Sequence, residues 1–165
     1  MAKVITIGFS KDKNAAIGDR VIRWVMKSKF SHTWIKFKFP EFNCNTLFHA
    51  TGYGLNFLAE PNFLACNDVI EEFNLPISDG LYLKILNECH GYTGTRYGVL
   101  QNVGIGFVKF LKFFGIKYKR NPFNSGIICS EWCAMILNEV YGKWSDKEIN
   151  LIDPVDVYNF LLERK

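Results

Sequence analysis

The sequence predicts an α+β domain, because segments with strand-like patterning lie in its first half and segments with helical spacing lie in its second. Only one helix is predicted among the strands, close to the start of the chain. With 165 residues, of which 48% are hydrophobic, the chain is long enough to bury a core. No repeat, low-complexity tract or linker divides it, so a single domain over residues 1–165 is expected.

The chain opens with a predicted strand, helix and strand. Residues 4–9 form an apolar, β-branched run that predicts a short buried strand. Apolar residues at helical spacing predict a helix over residues 15–27, with Asn14 as its N-cap. Within residues 31–39 two sets of side chains alternate, namely His32, Trp34, Lys36 and Lys38 against Thr33, Ile35, Phe37 and Phe39. This alternation is typical of a half-buried strand, and Pro40 ends the strand.

Two further strands and a helix are predicted in the middle of the chain. The strands cover residues 46–51 and 68–75, and a glycine-containing break at residues 52–54 ends the first of them. A helix is expected over residues 78–91, with Gly91 at its end.

Helices dominate the remainder. Residues 99–114 predict either one helix interrupted by two glycines or two short helices. The clearest helix covers residues 129–141 and is ended by Gly142. A last helix follows Asp153, which suits an N-cap, and Pro154, which suits the first helical position.

Composition narrows the functional classes. The net charge of +4 is too small to indicate nucleic-acid binding by itself. The number of cysteines is odd and their spacing does not suit a zinc finger, which predicts reduced thiols and no metal site; they are residues 44, 66, 89, 129 and 133. The N-terminus lacks a signal sequence and no apolar run approaches the roughly 18 residues that span a bilayer, so a cytoplasmic protein without a transmembrane segment is expected. The alternative is export by a route that does not use such a signal.

Cys129 is the strongest candidate for chemistry. It follows a loop of small residues and begins the predicted helix over residues 129–141, where the helix dipole and backbone N–H groups are expected to lower the pKa of its thiol. The alternative is a buried structural thiol, since free cysteine is among the most buried residue types. Cys133, one turn later, is interpreted as a core residue. A nucleophilic role for Cys129 requires a basic partner from elsewhere in the chain.

Two upstream histidines are the candidate partners. His32 begins the strand over residues 31–39 and is predicted to be the general base. His49 lies on the next strand, where it either orients His32 or is an ordinary polar residue of that strand. His90 ends a predicted helix, where a cationic side chain suits the dipole, and it is left out of the site.

The segment over residues 107–120 interleaves basic and aromatic side chains. Such a pattern occurs on membrane-surface helices and on basic binding surfaces, and also on core helices with a solvated lysine edge. The core interpretation is favoured, and an anionic surface is the partner expected if the segment is exposed.

Taken together, these segments resemble the circularly permuted branch of the NlpC-like, papain-like hydrolases, which includes the YiiX-like proteins and, more distantly, the lecithin:retinol acyltransferase relatives. The similarity extends over about residues 4 to 160, and its motifs are Ser31-His32-Thr33-Trp34-Ile35, Phe48-His49-Ala50-Thr51-Gly52-Tyr53-Gly54, Arg96-Tyr97-Gly98, Ile128-Cys129-Ser130-Glu131 and Asp153-Pro154-Val155-Asp156-Val157. Two positions depart from the YiiX-like pattern. Gly98 stands where an acidic residue is common, and His49 stands where Glu is frequent, as in the acyltransferase relatives.

The resemblance implies a permuted papain-like fold, with a small antiparallel sheet packed against helices, and a cysteine peptidase or amidase that cleaves a cell-wall-type peptide. Cys129 would be the nucleophile, His32 the base and His49 the third residue. The Tyr97 hydroxyl would donate to the oxyanion, or the ring would merely pack. No cofactor is implied. The alternatives are a lipid-directed acyltransferase or thioesterase, and a catalytically silent binding module of the same fold.

Overall fold

The fold is α+β, as predicted, in a computed structural model that describes residues 3–14, 17–51, 53–98, 104, 105, 107, 108, 111, 114–116, 121, 122, 126–144 and 149–165. Five antiparallel strands form one open sheet in the order β4-β3-β2-β1-β5. The strands are β1 (Lys3–Asp12), β2 (His32–Phe39), β3 (Cys44–Thr51), β4 (Gly54–Ala59) and β5 (Asn67–Ile77). The helices delimited in the described residues are α1 (Ile17–Met26), α2 (Glu60–Cys66), α3 (Asp79–Tyr92), α4 (Cys129–Tyr141) and α5 (Pro154–Leu162).

Strand β2 lies at the centre of the sheet and is buried on both faces. Ile35 and Phe37 point into the main core, whereas Trp34 and Lys36 are buried on the opposite face. The sequence analysis predicted a half-buried strand here. That prediction was wrong about the second face, because the short helix α2 covers it.

Helix α2 covers the second face because of how the chain crosses the sheet. Strands β4 and β5 are the two edges of the sheet, about four strand spacings or roughly 19 Å apart. Only the seven residues of α2 connect these two strands. The helix therefore runs over the face, where fully buried Phe63 packs with Trp34 and Leu47. Neither β4 nor α2 was predicted from the sequence.

An ion-pair network ties this crossover to the sheet. The Lys36 ammonium donates to Glu60 of α2 at 3.0 Å and to Glu72 of β5 at 2.7 Å. Burial opposes the charge, but the two carboxylates outweigh it and raise the pKa of Lys36. Removing one partner would leave a buried charge poorly compensated, so the network fixes the position of α2.

Helices α3, α4 and α5 cover the main-core face of the sheet. The N-cap of α3 is Ser78, whose hydroxyl accepts the Leu81 N–H at 3.3 Å. Helix α5 begins with a capping box between Asp153 and Asp156. Gly142 ends α4 in the left-handed conformation, so the predicted bounds of this helix are confirmed.

Several boundaries differ from the predictions. Strand β1 continues to Asp12 because β5 pairs with it as far as that residue. Strand β3 begins at Cys44, and α3 passes through Gly91 to end at Tyr92. The predicted helix over residues 99–114 and the segment over 107–120 lie mostly outside the described residues.

Within the part of the chain that the structure describes, no helix is long and apolar enough to cross a membrane.

Gly8 of β1 is required by the packing of Trp34. A Cβ built at Gly8 would lie 2.1 Å from the Trp34 ring, so the ring occupies the space that any other residue would need. The indole Nε1 donates to Ser10 Oγ at 3.2 Å, which fixes the ring in that position. The close approach of a side chain to the strand backbone explains a glycine inside a strand.

We expect Gly8→Ala to lower the free energy of unfolding by about 1–3 kcal/mol, because the added methyl group overpacks a fully buried ring. The matched control is Gly80→Ala in α3, where a Cβ would meet no atom within 4 Å. That change is expected to stabilise the protein by up to about 1 kcal/mol. Urea unfolding monitored by circular dichroism measures both, and equal effects of the two substitutions would contradict the packing argument.

Candidate active site

Cys129 is the first residue of α4, as predicted, and the segment before it is held against residues 96–98. The Ile127 N–H donates to the Arg96 carbonyl and the Gly98 N–H donates to the Ile127 carbonyl, both at 3.2 Å. Gly126 allows this approach, because its φ is +94° and a Cβ there would lie 2.4 Å from the Arg96 carbonyl oxygen. The pairing places Tyr97 beside Cys129.

The start of α4 is also anchored from the other side. The buried Ser130 hydroxyl donates to the Ile152 carbonyl at 2.8 Å, immediately before the α5 cap. The helix start is thus fixed by contacts to two separate segments of the chain. A fixed helix start positions the Cys129 sulfur relative to the sheet.

The Cys129 sulfur lies at the end of β2. Pairing between β2 and β3 stops at Ile35 and Phe48, and beyond that point the Thr33 N–H is near enough to the sulfur to favour its thiolate form. The N–H groups of Ser130 and of Cys129 itself also face the sulfur, and so does the Tyr97 hydroxyl. Four donors therefore surround an atom that can carry negative charge.

Burial nevertheless raises the pKa of the Cys129 thiol, and the four donors oppose this without overcoming it. The sequence analysis expected the helix start to lower this pKa, and that prediction was wrong. The residue is only 5% exposed, so desolvation of the thiolate outweighs the helix dipole and the nearby hydrogen bonds. In the structure the thiol is neutral at pH 7.

The two predicted histidines lie together on the face of the sheet that α2 covers. The ring centroids of His32 and His49 are 5.7 Å apart, in an edge-to-face arrangement. Phe63 packs on both rings, with centroid distances of 6.4 Å to His32 and 5.3 Å to His49. This aromatic cover leaves His49 only 8% exposed and His32 partly buried, with its Nε2 atom out of contact with solvent.

Both imidazoles are neutral in the folded protein. Burial lowers the pKa of His32 to about 3, the proximity of His49 lowers it further, and Asp19 partly opposes the change. Burial lowers the pKa of His49 to about 4. A neutral imidazole has one nitrogen lone pair that can accept a proton.

No hydrogen bond joins Cys129 to His32, or His32 to His49, within the described residues. His32 and Cys129 approach the end of β2 from opposite faces of the sheet, because the Thr33 side chain points to α4 and contacts the Cys133 sulfur at 3.5 Å. The Nε2 atom of His32 is buried without a hydrogen-bond partner in this part of the structure. A buried nitrogen without a hydrogen-bond partner lowers stability unless another group reaches it.

Asp19 of α1 connects this strand end to the helix. Its carboxylate accepts hydrogen bonds from the Ser31 hydroxyl, from Arg23 Nε at 2.7 Å and from the Asp12 N–H at 3.2 Å. Burial opposes its ionisation, but these donors prevail and hold the pKa of Asp19 below its usual range. Ser31, the residue next to His32, is therefore hydrogen-bonded to the ionised Asp19 carboxylate.

The other sulfurs are structural or peripheral. All five cysteines are free; Cys89 and Cys133 are buried, and Cys44 and Cys66 are exposed. Burial raises the pKa values of the Cys89 and Cys133 thiols. Among the described residues, no group of three or more His, Cys, Asp or Glu side chains is arranged to hold a metal ion.

Sequence reasoning missed Phe63, Asp19 and Gly126. The Glu60-Pro61 start of α2 is a helix signal that could have located Phe63, because proline suits the first turn of a helix. Asp19 and Gly126 had no local signal. Their roles depend on residues far away in the chain.

Comparisons with protein-family models, with curated proteins and with solved structures found no significant match. The resemblance to the permuted NlpC-like hydrolases therefore stays a prediction, and so do the catalytic roles of Cys129, His32, His49 and Tyr97.

The histidine pair predicts how stability depends on pH. Their folded pKa values lie below the unfolded value of 6.5, so the unfolded state takes up protons first as the pH falls. Stability is therefore expected to decrease between about pH 6.5 and 4.5, by roughly 1.4 kcal/mol per pH unit for each histidine. Urea unfolding at a series of pH values measures this slope.

We expect His32→Gln and His49→Gln each to reduce that slope and the double variant to remove most of it. The control is His90→Gln, which replaces the exposed histidine of α3 and measures the effect of removing a histidine outside the pair. A double variant with the wild-type slope would show that the buried pair is not its cause.

Proposed function

We propose that the chain is a cysteine hydrolase, a peptidase or amidase with a permuted papain-like fold of the NlpC type, whose substrate is an amide bond in a cell-wall-type peptide. The observation that carries the proposal is the surroundings of the Cys129 sulfur. Four donors face it, and one of them is the N–H of Thr33, the neighbour of His32. The buried His32 Nε2 atom makes no hydrogen bond to a described residue.

In the proposed reaction, the Cys129 thiol proton moves to His32 Nε2 while the sulfur attacks the carbonyl carbon. The carbonyl oxygen becomes an oxyanion, which the backbone N–H groups at the α4 start and the Tyr97 hydroxyl stabilise. The C–N bond then breaks, and His32 returns the proton to the leaving amine. Water hydrolyses the thioester with His32 as base, and the thiol is restored.

The neutral state of the His32 imidazole before the reaction is compatible with its role as proton acceptor. A neutral imidazole accepts a proton, and a protonated imidazole does not. Because His32 and Cys129 approach the end of β2 from opposite faces of the sheet and are not hydrogen-bonded, the reaction requires this strand end to rearrange when substrate binds. The rearrangement must bring His32 Nε2 to the sulfur directly or through one water.

A lipid-directed acyltransferase or thioesterase is the second candidate. Two observations favour it: His49 lies against His32, and α1, which is bonded to the segment before His32, exposes an apolar face. Both candidates share the Cys129 acyl-enzyme, so the acyl donor distinguishes them.

The nucleophile is tested by trapping the acyl-enzyme in a Cys44→Ser/Cys66→Ser background. Those two thiols are exposed and would otherwise react first. We expect a muropeptide or an activated lipid ester to leave one acyl group on Cys129, detected by intact-protein and peptide mass spectrometry. Reaction with the muropeptide alone supports the peptidase, reaction with the lipid ester alone supports the second candidate, and no adduct with either supports a silent binding module.

Cys129→Ala is expected to abolish both the adduct and turnover. Cys133→Ala is the matched control, one helical turn away and 1% exposed. It should cost on the order of 1 kcal/mol of stability through the cavity that it leaves, yet retain the adduct. Equal loss of activity in the two variants, at unchanged stability, would mean that Cys129 is the wrong cysteine.

The histidines are distinguished by their individual and combined effects on kcat/KM. His32→Ala should reduce turnover by two or more orders of magnitude, as the loss of a general base does. His49→Ala should reduce it less, and the double variant should be no worse than His32→Ala, because the effects of coupled groups are not additive. His90→Ala is the control. Additive effects of the two substitutions would exclude a positioning role for His49.

A further inference from the structure

Helix α1 exposes its apolar face. Ile17 and Trp24 are each 81% exposed, Val21 is 52% exposed and Val25 is 42% exposed. These residues follow helical spacing and so lie on one side of a ten-residue helix. An amphipathic helix with its apolar side in water needs a partner or a surface to cover it.

The charges on α1 indicate the sign of that surface. Its one acidic residue, Asp19, points inward, has a side chain that is 7% exposed and is neutralised by Arg23. Arg20 is exposed among the apolar residues, and Lys27 and Lys29 are exposed directly after the end of the helix. Within residues 17–29 the exposed charged side chains are therefore all cationic, and they accompany an apolar face, as in a helix that lies on an anionic membrane.

A second copy of the chain is a poorer fit. The four apolar side chains offer only a few hundred Å² per copy, against roughly 800 Å² per partner in a stable complex. Pairing the faces would also bring Arg20 and Lys27 of both copies close together. An anionic bilayer matches the charge and accepts a small apolar face.

We propose that α1 docks the protein on the surface of an anionic lipid bilayer. Ile17, Val21 and Trp24 would enter the boundary between headgroups and acyl chains, and Arg20 and Lys27 would contact lipid phosphates. With ten residues, or about 15 Å of length, the helix lies in the plane of the surface and does not cross the bilayer. This proposal goes beyond the proposed chemistry and holds whether or not Cys129 is a nucleophile.

Flotation with vesicles of phosphatidylglycerol and phosphatidylcholine, and with phosphatidylcholine alone, tests the proposal. Wild type and Cys129→Ala are both expected to bind the anionic vesicles. Their binding to the neutral vesicles should be at least tenfold weaker. Val21→Ser/Trp24→Ser and Arg20→Glu/Lys27→Glu should each weaken binding at least tenfold. The control is Leu83→Ser, which removes a 58% exposed apolar residue from α3 and should bind as wild type does.

Tryptophan fluorescence provides a second measurement. Of the four tryptophans, Trp34 and Trp132 are 1% exposed, Trp144 is partly buried against Phe160, and Trp24 is 81% exposed. The emission should therefore shift to shorter wavelength when Trp24 enters the lipid. Trp24→Phe should abolish the shift but keep most of the binding.

Three results would overturn the proposal. They are an absence of binding by a folded wild-type protein, equal binding to neutral vesicles, and unchanged binding by Val21→Ser/Trp24→Ser. A dimer in analytical ultracentrifugation that the same double variant dissociates would assign the face to a second copy instead.

Discussion

The burial of β2 on both faces is the constraint on which the candidate site depends. Successive side chains of a strand point to opposite faces, so Thr33 contacts α4 through Cys133 while Trp34 packs on Phe63 of α2. The backbone at the end of the strand, where pairing with β3 stops, lies between these two layers. Cys129 approaches that end from the side of α4, and the two histidines approach it from the side of α2. A strand with one solvated face could not hold both groups out of water.

The shared consequence of this burial is a site without charge. Desolvation raises the pKa of Cys129 and lowers those of His32 and His49, so the thiol and both imidazoles are neutral near pH 7. The donors around the sulfur are placed to stabilise negative charge once it forms. For the proposed hydrolase, charge separation therefore accompanies substrate binding and does not precede it. Burial of the two histidines instead lowers the free energy of unfolding at low pH.

Asp19 joins the candidate site to the proposed membrane-docking helix. Its carboxylate bonds Arg23 of the same helix and Ser31, the residue before His32. An α1 helix that lies on a lipid surface would bring the end of β2 close to that surface. This geometry favours the lipid-directed candidate, whereas the resemblance of the motifs favours the peptidase. The two hypotheses differ in the acyl donor and share the nucleophile.

The sequence by itself determined most of the local structure, with β4 and α2 as the exceptions. Apolar periodicity predicted β1, β2, β3, β5 and the helices α1, α3, α4 and α5, and capping residues such as Asp153 and Gly142 marked their ends. It also placed Cys129 at a helix start. Only the tertiary structure decided that the apolar face of α1 points outward, because periodicity identifies an apolar face and not its direction. The pKa of Cys129 was likewise decided by tertiary structure, because desolvation depends on all the residues packed around the thiol and the helix dipole depends on its own helix alone.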